Sequence, residues 1–216
     1  MKKEKINDKI SVNIQTPNEE TMLAINFIED FTQTNNLDFN LSITYDFSIQ
    51  ESGVYYPNLD GYQDTIFVNP NNCKNINDED NEYIFYHGYV TDITLFGIII
   101  HEFTHFLQYK VYENIIEEYS KEFPTKRFYL NYYCNNDFID ELSEVMSLYI
   151  TNPYLLKLIS KDHWKFCKRF FKSSIACSCE KCYNIFKCFP IHVKEDLKEN
   201  WGIVYNYNTD NFEKVV

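Results

Sequence analysis

Two histidines four residues apart, with a glutamate directly after the first, close an uncharged run in this chain: Leu95-Phe-Gly-Ile-Ile-Ile100 leads straight into His101-Glu102-Phe103-Thr104-His105. Leu95, Ile98, Ile99, Phe103, Phe106 and Leu107 recur with helical period, and Thr91 or Asp92 can cap the start. The pattern predicts one helix from Thr91 to about Tyr112. On a helix, residues four apart share a face. His101 and His105 can therefore offer two imidazoles to one tetrahedral Zn2+. Glu102 projects beside the same point, placed to take a proton from a water activated there and to hand it to a leaving amine. A chance pentapeptide on an amphipathic helix is the bland alternative. The apolar run argues against it, because burial holds the two rings still, as a metal site needs.

Two imidazoles are one ligand short, since catalytic zinc sites use three protein ligands and an open position. A third histidine at metzincin spacing is missing: Gln108 and Val111 stand where glycine and histidine would be. The helix predicted over Asp137 to Ile150 offers Asp140, Glu141 and Glu144. With Leu142, Val145, Met146 and Tyr149 as its core face, about 100° per residue groups Asp140 with Glu144 and leaves Glu141 at the margin. One of that pair can bind metal while the other supports a ligating histidine through a hydrogen bond. A solvated acidic face is the alternative.

These residues resemble the catalytic domain of anthrax toxin lethal factor and the related small Pro-Pro endopeptidases, which are gluzincin-type zinc proteases. The likeness rests on His101-Glu-Phe-Thr-His105, then Tyr133, then Asp140-Glu-Leu-Ser-Glu144 and the stretch on to Asn152-Pro153. It covers roughly Thr91 to Phe171; the N-terminal half fits only in its strand order. The resemblance implies zinc-dependent peptide-bond hydrolysis, with Tyr133 helping to stabilise the oxyanion seven residues before the third ligand. It places that ligand at Asp140, where the family normally has glutamate, and makes Glu144 the supporting carboxylate. Aspartate is one methylene shorter, so Asp140 must sit closer to the metal; Glu141 and Glu144 are the other candidates for its role. The implied fold is α+β and zincin-like: a small twisted sheet with an N-terminal helix, then the HExxH helix and a helical C-terminal lobe with a cleft between. A substrate peptide would pair along a strand edge, either Thr65–Val68 or Gly53–Tyr56.

The remaining elements follow from periodicity and punctuation. Residues 1–17 read as a loosely ordered lead-in, and residues 18–216 as a single domain whose last part, from about 174, is Cys-rich. Asn18 opens a helix carrying Met22, Ile25, Ile28 and Phe31, which should stop near Asn35-Asn36. Strands are predicted over Leu41–Phe47, Gly53–Tyr56, Thr65–Val68 and Tyr83–Val90. Further helices are predicted over Asn114–Lys121, Pro153–Ile159 and Asp162–Phe171.

The 216 residues carry a net charge of −12, which disfavours nucleic acid or an anionic membrane as the main partner. A peptide or protein substrate is the expected partner. No segment is long and apolar enough to span a bilayer, and no apolar stretch follows the basic N-terminus as in a signal peptide. The cytoplasm is the default location, with export by another route left open. Seven cysteines then point to thiols or metal ligands rather than a disulfide framework. Cys177, Cys179, Cys182 and Cys188, with Cys167 before them, could form a structural zinc site or a set of free thiols. Two other readings remain: an inactive zincin-fold interaction protein, and a Cys-zinc binding module on an inert domain.

Overall fold

The computed structural model describes residues 4–5, 10–12, 17–58, 63–73, 94–124, 138–151, 153–171, 203–206 and 211–214. The chain forms two compact units. The first comprises residues 1–75 and 92–118, the second residues 76–91 and 119–216.

The first unit holds a five-stranded sheet of order β1-β2-β3-β5-β4. Its strands are β1 (Glu4–Lys5), β2 (Ile10–Val12), β3 (Leu41–Tyr45), β4 (Gly53–Tyr56) and β5 (Thr65–Val68). β2, β3 and β5 run parallel, while β1 and β4 pair antiparallel at the two edges. The stretch read as a lead-in thus supplies two strands. They are two and three residues long, too short to show any period, so only pairing defines them. β3 ends at Tyr45, earlier than predicted. Asp46 accepts hydrogen bonds from the Ser48 N–H at 2.9 Å and the Ser48 hydroxyl at 2.5 Å, an Asx turn that takes the chain out of the sheet.

Helix α1 (Glu19–Asn35) begins where Asn18 Oδ1 accepts from the Thr21 N–H at 2.9 Å. It ends where Asn36 takes up a left-handed conformation, φ 54°, a conformation asparagine tolerates better than most residues. Its apolar stripe meets helix α2 (Leu95–Phe106) through two edge-to-face aromatic pairs: Phe27 with Phe96 at 5.9 Å and Phe31 with Phe103 at 5.8 Å. On other sides α2 packs against β4 and β5. Its β-branched run, Ile98 to Ile100, has only modest helix propensity. Burial of Ile99, Ile100, Phe103 and Phe106 outweighs that preference.

The chain passes into the second unit within α3 (Ile115–Glu122), at Tyr119. Then come α4 (Phe138–Thr151), α5 (Pro153–Ile159) and α6 (Lys161–Phe170), and a separate antiparallel ribbon of β6 (Ile203–Asn206) and β7 (Asn211–Lys214). α4 packs against α5 and α6. Tyr119, Phe123, His163 and Phe166 form one aromatic cluster, with ring centroids 4.1 to 5.8 Å apart. The predicted strand Tyr83–Val90 lies outside the described residues. Among the described residues, no helix is long and apolar enough to cross a membrane.

Candidate metal centre

The Thr94 hydroxyl caps α2 by accepting from the Gly97 N–H at 3.3 Å. Thr91 and Asp92, the expected caps, lie outside the described residues. At the other end, regular α-helix stops at Phe106 rather than continuing to Tyr112. Leu107–Val111 form a π turn, with the Tyr112 N–H reaching the Leu107 carbonyl at 2.9 Å. The wider turn keeps Leu107 and Gln108 buried while Tyr109 stacks on Tyr55 at 6.3 Å and Lys110 approaches Asp64 at 3.6 Å. Asp64 also accepts from the Tyr55 hydroxyl at 2.6 Å. Burial and that neighbouring carboxylate push the Tyr55 phenol well above its ordinary value.

Between these ends, His101 and His105 are half-buried with rings at 76° to each other, and their Nε2 atoms are 3.1 Å apart. Two nitrogens on one tetrahedral zinc, each about 2.05 Å from it, would stand about 3.3 Å apart. The helix thus brings both imidazoles close to the separation a shared metal requires. Thr104 donates to the His101 carbonyl at 2.7 Å, which anchors the turn between them. Glu102 is only 7% exposed, and its side chain runs beside Gly53, the first residue of β4. A Cβ at position 53 would stand 3.0 Å from Glu102 Cγ and 2.5 Å from Ile98 Cγ2.

His101 and His105 belong to the first unit, and Asp140, the third ligand expected from the sequence, to the second. Asp140 is half-buried in the first turn of α4, where the helix dipole favours a carboxylate. The burial of its neighbours rules out the alternative of a solvated acidic face. Glu144 is 5% exposed and Glu141, placed at the margin by periodicity, is 1% exposed. Glu141 Oε1 accepts a hydrogen bond from the buried Tyr119 hydroxyl at 2.6 Å. The whole run 141–150 is buried, so no polar stripe exists for a 3.6-residue period to find.

Tyr133, Cys177, Cys179, Cys182 and Cys188 lie outside the described residues. Cys167 is a core residue of α6, and burial pushes its thiol well above the ordinary range. Among the described residues, neither Cys167 nor Cys73 belongs to a group of three potential metal ligands. Of the two strand edges considered for a peptide, Thr65–Val68 is excluded, because β5 is paired on both sides. Among the described residues, Gly53–Tyr56 lies at one edge of the sheet.

Neither the Tyr119 hydroxyl nor the missing side chain at Gly53 was used in predicting the site. Tyr119 carried no distinguishing signal among 18 tyrosines. Gly53 did carry one, since a glycine in a strand often marks a close approach.

No family model matches the chain, and no curated protein matches it. A solved structure of a candidate zinc-binding metallo-peptidase from Bacteroides caccae is similar at 12% sequence identity and a TM-score of 0.31, covering 89% of this chain and 79% of that one. At that score the likeness decides neither fold nor function.

Proposed function

We propose that this chain is a zinc-dependent endopeptidase of the gluzincin type, similar to the lethal factor catalytic domain and the Pro-Pro endopeptidases. The observation that carries the reading is the pair of Nε2 atoms, 3.1 Å apart on a buried helix, with Glu102 beside them. Two imidazole nitrogens and a carboxylate oxygen are a donor set that suits zinc. His101, His105 and Asp140 would hold it, with Glu144 as the supporting carboxylate. Bound there, zinc supplies a Lewis acid that polarises the scissile carbonyl and makes a water acidic at neutral pH. Glu102 takes the proton of the attacking water and passes it to the leaving amine. Tyr133 donates a hydrogen bond to the developing oxyanion. The outer edge of β4 offers backbone N–H and C=O groups to an extended peptide, fixing its register.

Metal analysis combined with a quenched-fluorescent peptide library tests the reading. One zinc per chain and cleavage that stops on chelation are expected. Zinc without cleavage of any peptide would leave an inert zincin-fold binding protein. A second, thiolate-held zinc would assign Cys177, Cys179, Cys182 and Cys188 to a structural site.

A further inference from the structure

The geometry points to Gly53 as a positioning residue for Glu102: the missing side chain at the start of β4 is the space in which the general base stands. This rests on the reading of Glu102 as that base. On a strand, alternate residues share a face, so Gly53 and Tyr55 both look toward α2. Tyr55 holds β4 off with its ring, packed against Phe106 at 5.9 Å. At Gly53 nothing intervenes. A Cβ there would meet Ile98 Cγ2 at 2.5 Å, Glu102 Cγ at 3.0 Å and Glu102 Oε1 at 3.3 Å. The backbone at Gly53 is not left-handed, so the position uses the absence of a side chain and not glycine's conformational freedom. Two contacts are thus combined at one site. Ile98 sets how closely the helix packs, and Glu102 carries chemistry whose rate depends on sub-ångström placement.

Substitutions separate the two. Gly53→Ala should swing the Glu102 carboxylate out of place, and it also strains the Ile98 contact. Gly53→Ala/Ile98→Ala removes that strain but keeps the new methyl against Glu102. Crystal structures, zinc content and kinetics on a library peptide cleaved by the wild type should be compared with Ile98→Ala alone. In the double variant we expect a full complement of zinc, an unchanged KM, a displaced Glu102 carboxylate and a kcat about 100-fold below that of Ile98→Ala. A double variant with Glu102 in its original position and kcat within a few-fold of Ile98→Ala would reduce Gly53 to a packing residue and overturn the inference. Should the wild type cleave no peptide, the protease reading fails on its own, and the crystallographic position of Glu102 still decides the role of Gly53.

Discussion

His163 on α6 and the His101–His105 pair on α2 are all helical histidines next to aromatic cores, yet their rings are used in opposite ways. His163 is 4% exposed. Its ring stacks on Phe123 at 4.1 Å and 13°, and Nδ1 lies 2.7 Å from the Ser160 hydroxyl that also caps the helix. That histidine completes a core. The α2 pair turns two Nε2 atoms toward each other at 3.1 Å and remains half-buried. The buried acids divide in the same way. Glu141 receives the Tyr119 hydroxyl at 2.6 Å, whereas Glu102 lies along a glycine that leaves it room. Burial alone therefore does not separate residues that complete a core from those proposed to do chemistry. What faces the polar atoms does.

The sharpest way to break this comparison is to exchange the histidines' fates. His105→Ala should strip the metal and abolish turnover, whereas His163→Phe, similar in shape, should keep both. Zinc content of the two purified variants decides, and zinc loss from His163→Phe would erase the distinction. Next in size is the acid pair. Glu102→Gln should retain zinc while kcat falls by about 1,000-fold, and Glu141→Gln should leave kcat within a few-fold. Near wild-type turnover in Glu102→Gln would remove the proposed mechanism.

Smaller effects sharpen the assignment on α4. Asp140→Ala should weaken zinc binding more than Glu141→Ala, and Glu144→Ala should weaken it by about 10- to 100-fold. Competition with a chelator reads all three. If Glu141→Ala alone releases zinc, the ligand frame is off by one residue. At the stability end, Ser160→Ala removes a helix cap and the His163 partner. It should cost about 1 kcal/mol in urea unfolding with no change in zinc content.

A pH series probes the second unit independently of the metal. The Cys167 thiol has a raised pKa in the folded chain, so the folded state keeps its proton after an exposed thiol would have lost it. Stability from this source is complete below the ordinary thiol value and declines as pH rises above it, by up to about 1.4 kcal/mol per pH unit. Cys167→Ala should flatten that alkaline slope, and an unchanged slope would assign it to other groups.

The helical parts of this fold were readable because their signals are local. Asn18 and Asn36 bracket α1 as their side-chain and left-handed preferences suggest, and Pro153 starts α5 where the sequence places it. The α2 boundaries were less faithful. The π turn at Leu107–Val111 trades regular helix for placement of Tyr109 and Lys110 beside Tyr55 and Asp64, residues some 50 positions away along the chain.

The two histidines needed no tertiary structure to be brought together. A helix turns once in 3.6 residues, so His101 and His105 share a face wherever that helix lies, and Glu102 follows them. Other features depended on contacts between distant segments. β1 and β2 exist only because other strands are there to pair with. β4 became the edge, and β5 an interior strand, through pairing that no short run of residues encodes. Glu141 is buried because Tyr119, 22 residues earlier, supplies a donor, which a buried carboxylate requires. Gly53 matters because β4 meets α2 there. Local backbone geometry is written into neighbouring residues, whereas pairing and burial are settled by partners that the chain must first fold to meet.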